Sequence, residues 1–158
     1  MNLDRKLIKL NIDGGDFKNL LKEKYQNQKG VYTLHILEKN NTPKIIDRIF
    51  GKDNRGIIYI GMASNLVNRV SDLQKAIMSN SDHSLTSPKI YGHAQSGKKF
   101  FRIRKRIAVD SLYVKVYISE DPKRNEAHML ENYVATYGEL PPLNGNYGHY
   151  DPDDWEVF

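Results

Sequence analysis

The chain contains no cysteine. That excludes disulfides and thiolate zinc sites and makes a cytoplasmic location the default expectation. Long apolar runs are missing too. Mean hydropathy is −0.63, and no stretch approaches the roughly 18 residues of a membrane helix, so no membrane partner is expected. The opening MNLDRKLIKLNIDGG holds no apolar core of the kind a secretory signal requires. Internal repeats and dividing linkers are absent. So is any zinc-finger or helix-turn-helix pattern that would mark an appended DNA reader.

What remains is a chain of 158 residues, 39% hydrophobic and 27% charged. Those values predict one globular domain, residues 1–158, with a single sizeable core. Net charge is +5 and the isoelectric point about 9.3, which weakly favours a polyanionic partner. The basic residues are concentrated. Lys98, Lys99, Arg102, Arg104, Lys105 and Arg106 fall within nine positions, whereas Asp151 to Glu156 is acidic. The first five are candidate DNA-phosphate contacts. The same run also fits a solvated edge strand with Phe101 and Ile103 turned inward.

Apolar periodicity and turn residues predict the elements. A short strand over 7–13 ends at Gly14-Gly15, and Asp16 caps a helix over 17–25. Strands follow near 31–37, 44–50 and 57–60. Ser64 or Asn65 caps a helix to about Ser79 with Leu66, Val70, Leu73 and Ile77 on its core face. A polar loop runs from Ser79 to Pro88. Residues 111–118 alternate as a half-buried strand. Asp121-Pro122 opens a last helix that Gly138 ends. The expected fold is α+β, a small, mostly antiparallel sheet flanked by helices.

The stretch GIIYIGMASNLVNRV sets Tyr59 in a strand, ends that strand at Gly61, and places Arg69 beside the buried stripe of the next helix. It is preceded by Gly30-Val31-Tyr32 and followed, far downstream, by EAHMLENYVATYGELPPLN. Together these elements resemble the GIY-YIG nuclease family over about residues 30–144. That leaves 1–29 as an N-terminal extension and 145–158 as a tail. The resemblance implies a metal-dependent endonuclease that hydrolyses DNA phosphodiester bonds with Mg2+ or Mn2+. It further implies Glu131 as metal ligand, Arg69 as the group facing the phosphate, and Tyr32 and Tyr59 as proton-handling tyrosines. Gly30, Gly61 and Asn144 take supporting places.

Those residue types suit that chemistry. A guanidinium forks onto non-bridging phosphate oxygens. One carboxylate leaves most of a magnesium ion's positions to water and substrate. A tyrosine with an ordinary pKa near 10 acts as base or relay if cations lower that pKa. Glu126 is the rival carboxylate, about 140° round the helix from Glu131; the Leu-Glu-Asn match favours Glu131.

Two positions depart from the family pattern. Leu73 stands where many relatives have histidine or tyrosine, and Met62 where many have lysine. His93, in a Gly-His-Ala-Gln-Ser-Gly-Lys segment that resembles a glycine-rich element of bacterial relatives, is the candidate substitute for the first. These departures keep open the alternative of a catalytically weak DNA-binding module. A homodimer or a partner protein supplying specificity also remains open.

Overall fold

The computed structural model describes residues 2–3 and 6–146; the acidic stretch Asp151 to Glu156 lies outside them. In chain order come β1 (Asn2–Leu3), β2 (Ile8–Lys9), α1 (Gly14–Tyr25), β3 (Gly30–Ile36), β4 (Ile46–Arg48), β5 (Gly51–Asp53), β6 (Ile57–Ala63), α2 (Leu66–Met78), α3 (Ala94–Ile103), a 3-10 turn (Val109–Ser111), β7 (Leu112–Ile118) and α4 (Pro122–Tyr137). Among the described residues, no helix is long and apolar enough to cross a membrane.

The main sheet is antiparallel throughout. β3 lies between β6 and β7, and β1 and β2 both pair with the far side of β7. All seven residues of β3 are buried, because the sheet is covered on both faces. Tyr32, Leu34 and Ile36 join Phe17, Leu21, Leu66, Val70, Leu73 and Phe100. Val31 instead joins Ile57, Ile60, Leu130, Tyr133 and Tyr137 on the α4 side. Each fully buried aliphatic or aromatic side chain here contributes about 1.5–3 kcal/mol.

Caps set the helix ends. Asn65 accepts from the Asn68 N–H at 3.0 Å and starts α2. Asp121 accepts from the Arg124 N–H at 3.1 Å, and Gly138 at φ +77° ends α4. α1 begins earlier than the apolar pattern predicts. Asp13 is its cap, accepting from the Gly15 N–H at 2.9 Å, so Asp16 becomes a first-turn acid that favours the helix dipole.

The basic run departs most from expectation. It is largely α3, not an edge strand. The alternation of Phe101 and Ile103 is incidental, since both are only half-buried while Phe100 is fully buried. Ser96, Gly97 and Phe100 form the inner face at helical spacing.

The segment between β3 and β6 forms a separate hairpin of β4 and β5. Asp53, with no exposed surface, ties it down. It accepts from the N–H groups of Arg55 (2.9 Å) and Ile57 (3.0 Å) and from the Tyr133 hydroxyl (3.0 Å). The hairpin thereby fixes the C-terminal half of α4, and with it the direction in which the other end of that helix points.

Candidate active site

Tyr32 and Tyr59 come from adjacent strands. Tyr32 pairs with Gly61 and Leu34 with Tyr59 across β3 and β6, and the ring centroids lie 6.0 Å apart. A bulge between Leu34 and His35 skips Ile58 in the pairing. Ile58 therefore shares a face with Tyr59 instead of opposing it, a correction to strict alternation along this strand. The two glycines have steric reasons. A Cβ on Gly61 would stand 2.7 Å from Tyr59 Cε1 and 2.8 Å from the Tyr32 hydroxyl. A Cβ on Gly30 would stand 2.0 Å from the Tyr117 carbonyl oxygen. Gly61 thus makes room for the two phenols, and Gly30 lets β3 approach β7.

His93, the N-cap residue of α3, reaches the same point. Its Nε2 lies 2.7 Å from the Tyr32 hydroxyl, and its Nδ1 is 3.4 Å from Ser96 Oγ. The ring is edge-on to Tyr59 at 5.7 Å between centroids. Arg69 is exposed on α2, and its Nη1 donates to the Gly92 carbonyl at 3.2 Å. Its charge acts on Tyr32, Tyr59, His93 and Glu126 alike.

The carboxylate in this group is Glu126. Its charge acts on Tyr32 and Tyr59, and the nearby Met62 N–H pulls its own pKa down. Among the described residues, Glu131 is not one of the leading influences on Tyr32, Tyr59, His93 or Glu126. The reason is the rotation of α4. Its buried residues are Ala127, Leu130, Tyr133 and Tyr137, while the apolar Val134 is only half-buried. At about 100° per residue, Glu126 then falls about 35° from the centre of the buried arc and Glu131 about 105° from it. Tyr133 is drawn inward by its hydroxyl's bond to Asp53, a long-range partner invisible to helical periodicity.

Burial sets the protonation states. Desolvation pushes Tyr32 well above 10.0 and raises Tyr59 too, despite the opposing pull of Arg69. Neither is a ready-made tyrosinate, so the condition that cations lower these pKa values is not met. Desolvation and then Arg69 lower His93 to about 3, so its imidazole is neutral. Desolvation raises Glu126 to about 6, against the lowering pull of the Met62 N–H and Arg69. At neutral pH the cluster holds two phenols, one neutral imidazole, one carboxylate and one guanidinium.

The other expected residues have distinct places. Asn144 clamps the outer edge of β6, donating to the Ile60 carbonyl at 2.8 Å and accepting from the Ile60 N–H at 2.9 Å. Lys99 donates to the Asn144 carbonyl at 2.6 Å. Arg104 donates to the carbonyls of Asp82 (3.0 Å) and Leu85 (2.8 Å). Lys99 and Arg104 are thus committed to holding the fold. Arg102 and Lys105 stay exposed, and Lys98 is half-buried.

Among the described residues no three His, Cys, Asp or Glu converge as metal ligands. The donor set fits a divalent cation held by one carboxylate. Glu126 is a half-buried anion whose pKa is raised, so its charge is under-compensated by its protein neighbours. Magnesium commonly binds through one or two carboxylates and keeps its remaining positions for water and phosphate oxygens. No protein-family model, no curated protein and no solved structure matches the chain.

Proposed function

We propose that the chain is a metal-dependent endonuclease hydrolysing DNA phosphodiester bonds, with an active site of the GIY-YIG kind. One observation carries this reading. Tyr32 and Tyr59 on the sheet, Arg69 on α2, His93 before α3 and Glu126 on α4 converge on one cluster. A fold needs no such grouping of titratable side chains for its stability, and perturbed groups cluster at functional sites.

Arg69 pairs with the non-bridging oxygens of the scissile phosphate. The attacking water passes its proton to the Tyr32 oxygen as the Tyr32 hydroxyl proton moves to His93 Nε2. Tyr32 acts as a relay because burial keeps its hydroxyl protonated. The imidazolium formed is stabilised by the negative charge of the bound phosphate. Water oxygen bonds to phosphorus, the bond to the 3′ oxygen breaks, and that oxygen takes a proton from solvent. Magnesium held by Glu126 would supply Lewis-acid neutralisation of charge on the phosphoryl and leaving oxygens.

The test is incubation of supercoiled plasmid with magnesium, manganese or chelator, using the native chain beside Glu126→Gln and Glu131→Gln. Metal-dependent nicking, abolished by Glu126→Gln and retained by Glu131→Gln, is expected. Absence of cleavage, or cleavage that survives Glu126→Gln, would replace the enzyme with a binding module or a subunit awaiting its partner.

A further inference from the structure

The loop that leads into His93 carries a feature that the proton relay does not use. Ile90 and Tyr91 are exposed at 64% and 37%, two of the five large hydrophobic side chains in the open among the described residues. Floppiness does not account for this exposure. Asn80 has no exposed surface and holds Lys89 from both sides. Its Oδ1 accepts from the Lys89 N–H at 2.8 Å, and its Nδ2 donates to the Lys89 carbonyl at 2.9 Å. Three residues later Arg69 holds the Gly92 carbonyl. Gly92 itself lies flat on Asp72, where a Cβ would stand 3.0 Å from the carboxyl. The loop is fixed at both ends and aims its two apolar side chains outward.

The surroundings are mostly cationic. Lys75 Nζ sits 4.7 Å from the centroid of the Tyr91 ring, Arg69 holds the neighbouring residue, and Lys89 is exposed. Asp72 is the acidic group nearby. Tyr91 and His93 are two residues apart, so their Cα atoms lie at most about 7 Å from each other. An open aromatic ring flanked by cations, beside a group that handles a phosphate, has the parts of a single-strand binding platform. Bases stack on such rings whatever their identity, and cations follow the backbone.

We infer that Tyr91, with Ile90 beside it, stacks the base next to the scissile phosphate, so that the substrate is single-stranded or locally unpaired DNA. This rests on the nuclease reading for the word scissile, but the binding it describes is testable without cleavage. A fixed loop favours such stacking, because ordering it on binding costs little.

The test measures anisotropy of a short labelled oligothymidylate and of an abasic strand with the same number of phosphates, in chelator at one salt concentration. The native chain, Tyr91→Ala and Tyr91→Phe are compared, with thermal melts showing that each is folded. The native chain is expected to prefer the strand with bases by roughly 5- to 150-fold. Tyr91→Ala collapses that ratio towards one, and Tyr91→Phe retains it. A native ratio near one, a ratio untouched by Tyr91→Ala, or no binding to either strand overturns the inference. Plasmid nicking separates the two readings. Metal-dependent cleavage without a Tyr91-dependent ratio removes the platform alone. A Tyr91-dependent ratio without cleavage removes the enzyme alone.

Discussion

Replacing Glu126 by glutamine should stabilise the protein while abolishing the proposed cleavage. Burial raises Glu126 from 4.5 to about 6, so the folded state holds that proton more tightly than the unfolded chain. Between those two values the native state binds more protons than the unfolded state, and stability falls as pH rises. A shift of this size corresponds to about 2 kcal/mol at neutral pH, reduced towards ~1 kcal/mol because the side chain is only half-buried and partly screened. Glutamine keeps an acceptor for the Met62 N–H and removes the charge. Thermal unfolding followed by circular dichroism in chelator should place Glu126→Gln about 2–6 °C above the native chain at neutral pH. The gap should narrow as pH falls below 6 and close below 4.5, where the carboxyl is protonated in both the folded and the unfolded state. Added magnesium should then stabilise the native chain and not the variant. A variant less stable than the native chain at neutral pH, or a gap that ignores pH, would refute the argument that Glu126 is an under-compensated anion.

Three other outcomes follow from the geometry. Asp53→Ala leaves the Ile57 N–H and the Tyr133 hydroxyl without their buried partner; it should cost about 2–6 kcal/mol at ~1–3 kcal/mol per orphaned group, read as a lower urea midpoint, and an unchanged midpoint would reject the anchoring role. Gly61→Ala drives a methyl group against both phenols, so cleavage should fall more than about tenfold with the Tyr32–His93 contact disturbed in side-chain NMR spectra; full activity would show that the phenols need not sit as described. Arg104→Ala should lower stability by about 1–3 kcal/mol through the lost carbonyl contacts and leave oligonucleotide affinity little changed. The double change Arg102→Ala with Lys105→Ala should do the reverse and flatten the salt dependence.

The sequence announced what depends on neighbours along the chain. Asn65, Asp121 and Gly138 marked helix ends because caps act within one turn. The alternation of residues 112–118 marked β7, and Gly30-Val31-Tyr32 with Tyr59-Ile60-Gly61 led to two tyrosines that do meet. Features set by distant partners stayed hidden. Nothing local says that Asp53 will draw Tyr133 inward across 80 positions, and that contact decides which glutamate α4 turns to the cluster. Nor does the basic run declare that Arg104 will serve the carbonyls of residues 82 and 85. Its charges resemble a phosphate surface equally well whether or not backbone oxygens already hold them.

Leu73 shows how a departure in sequence is resolved in space. The residue is fully buried in the core formed by α2 and the sheet. An imidazole placed there would lose hydration in an apolar cluster, so α2 has no room to offer a proton acceptor from that turn. His93 arrives from the start of α3 instead and meets the Tyr32 hydroxyl at 2.7 Å. Its proximity to Ser96 and Tyr59 holds the ring in place, and burial with the Arg69 charge keeps it neutral. The placement of His93 therefore depends on the 79–93 loop being held, which Asn80 and Arg69 do from opposite ends. Arg69 has two tasks in this arrangement. Under the proposed nuclease reading it would face the phosphate, and it fixes the Gly92 carbonyl beside His93, so phosphate binding and placement of His93 would be mechanically one event.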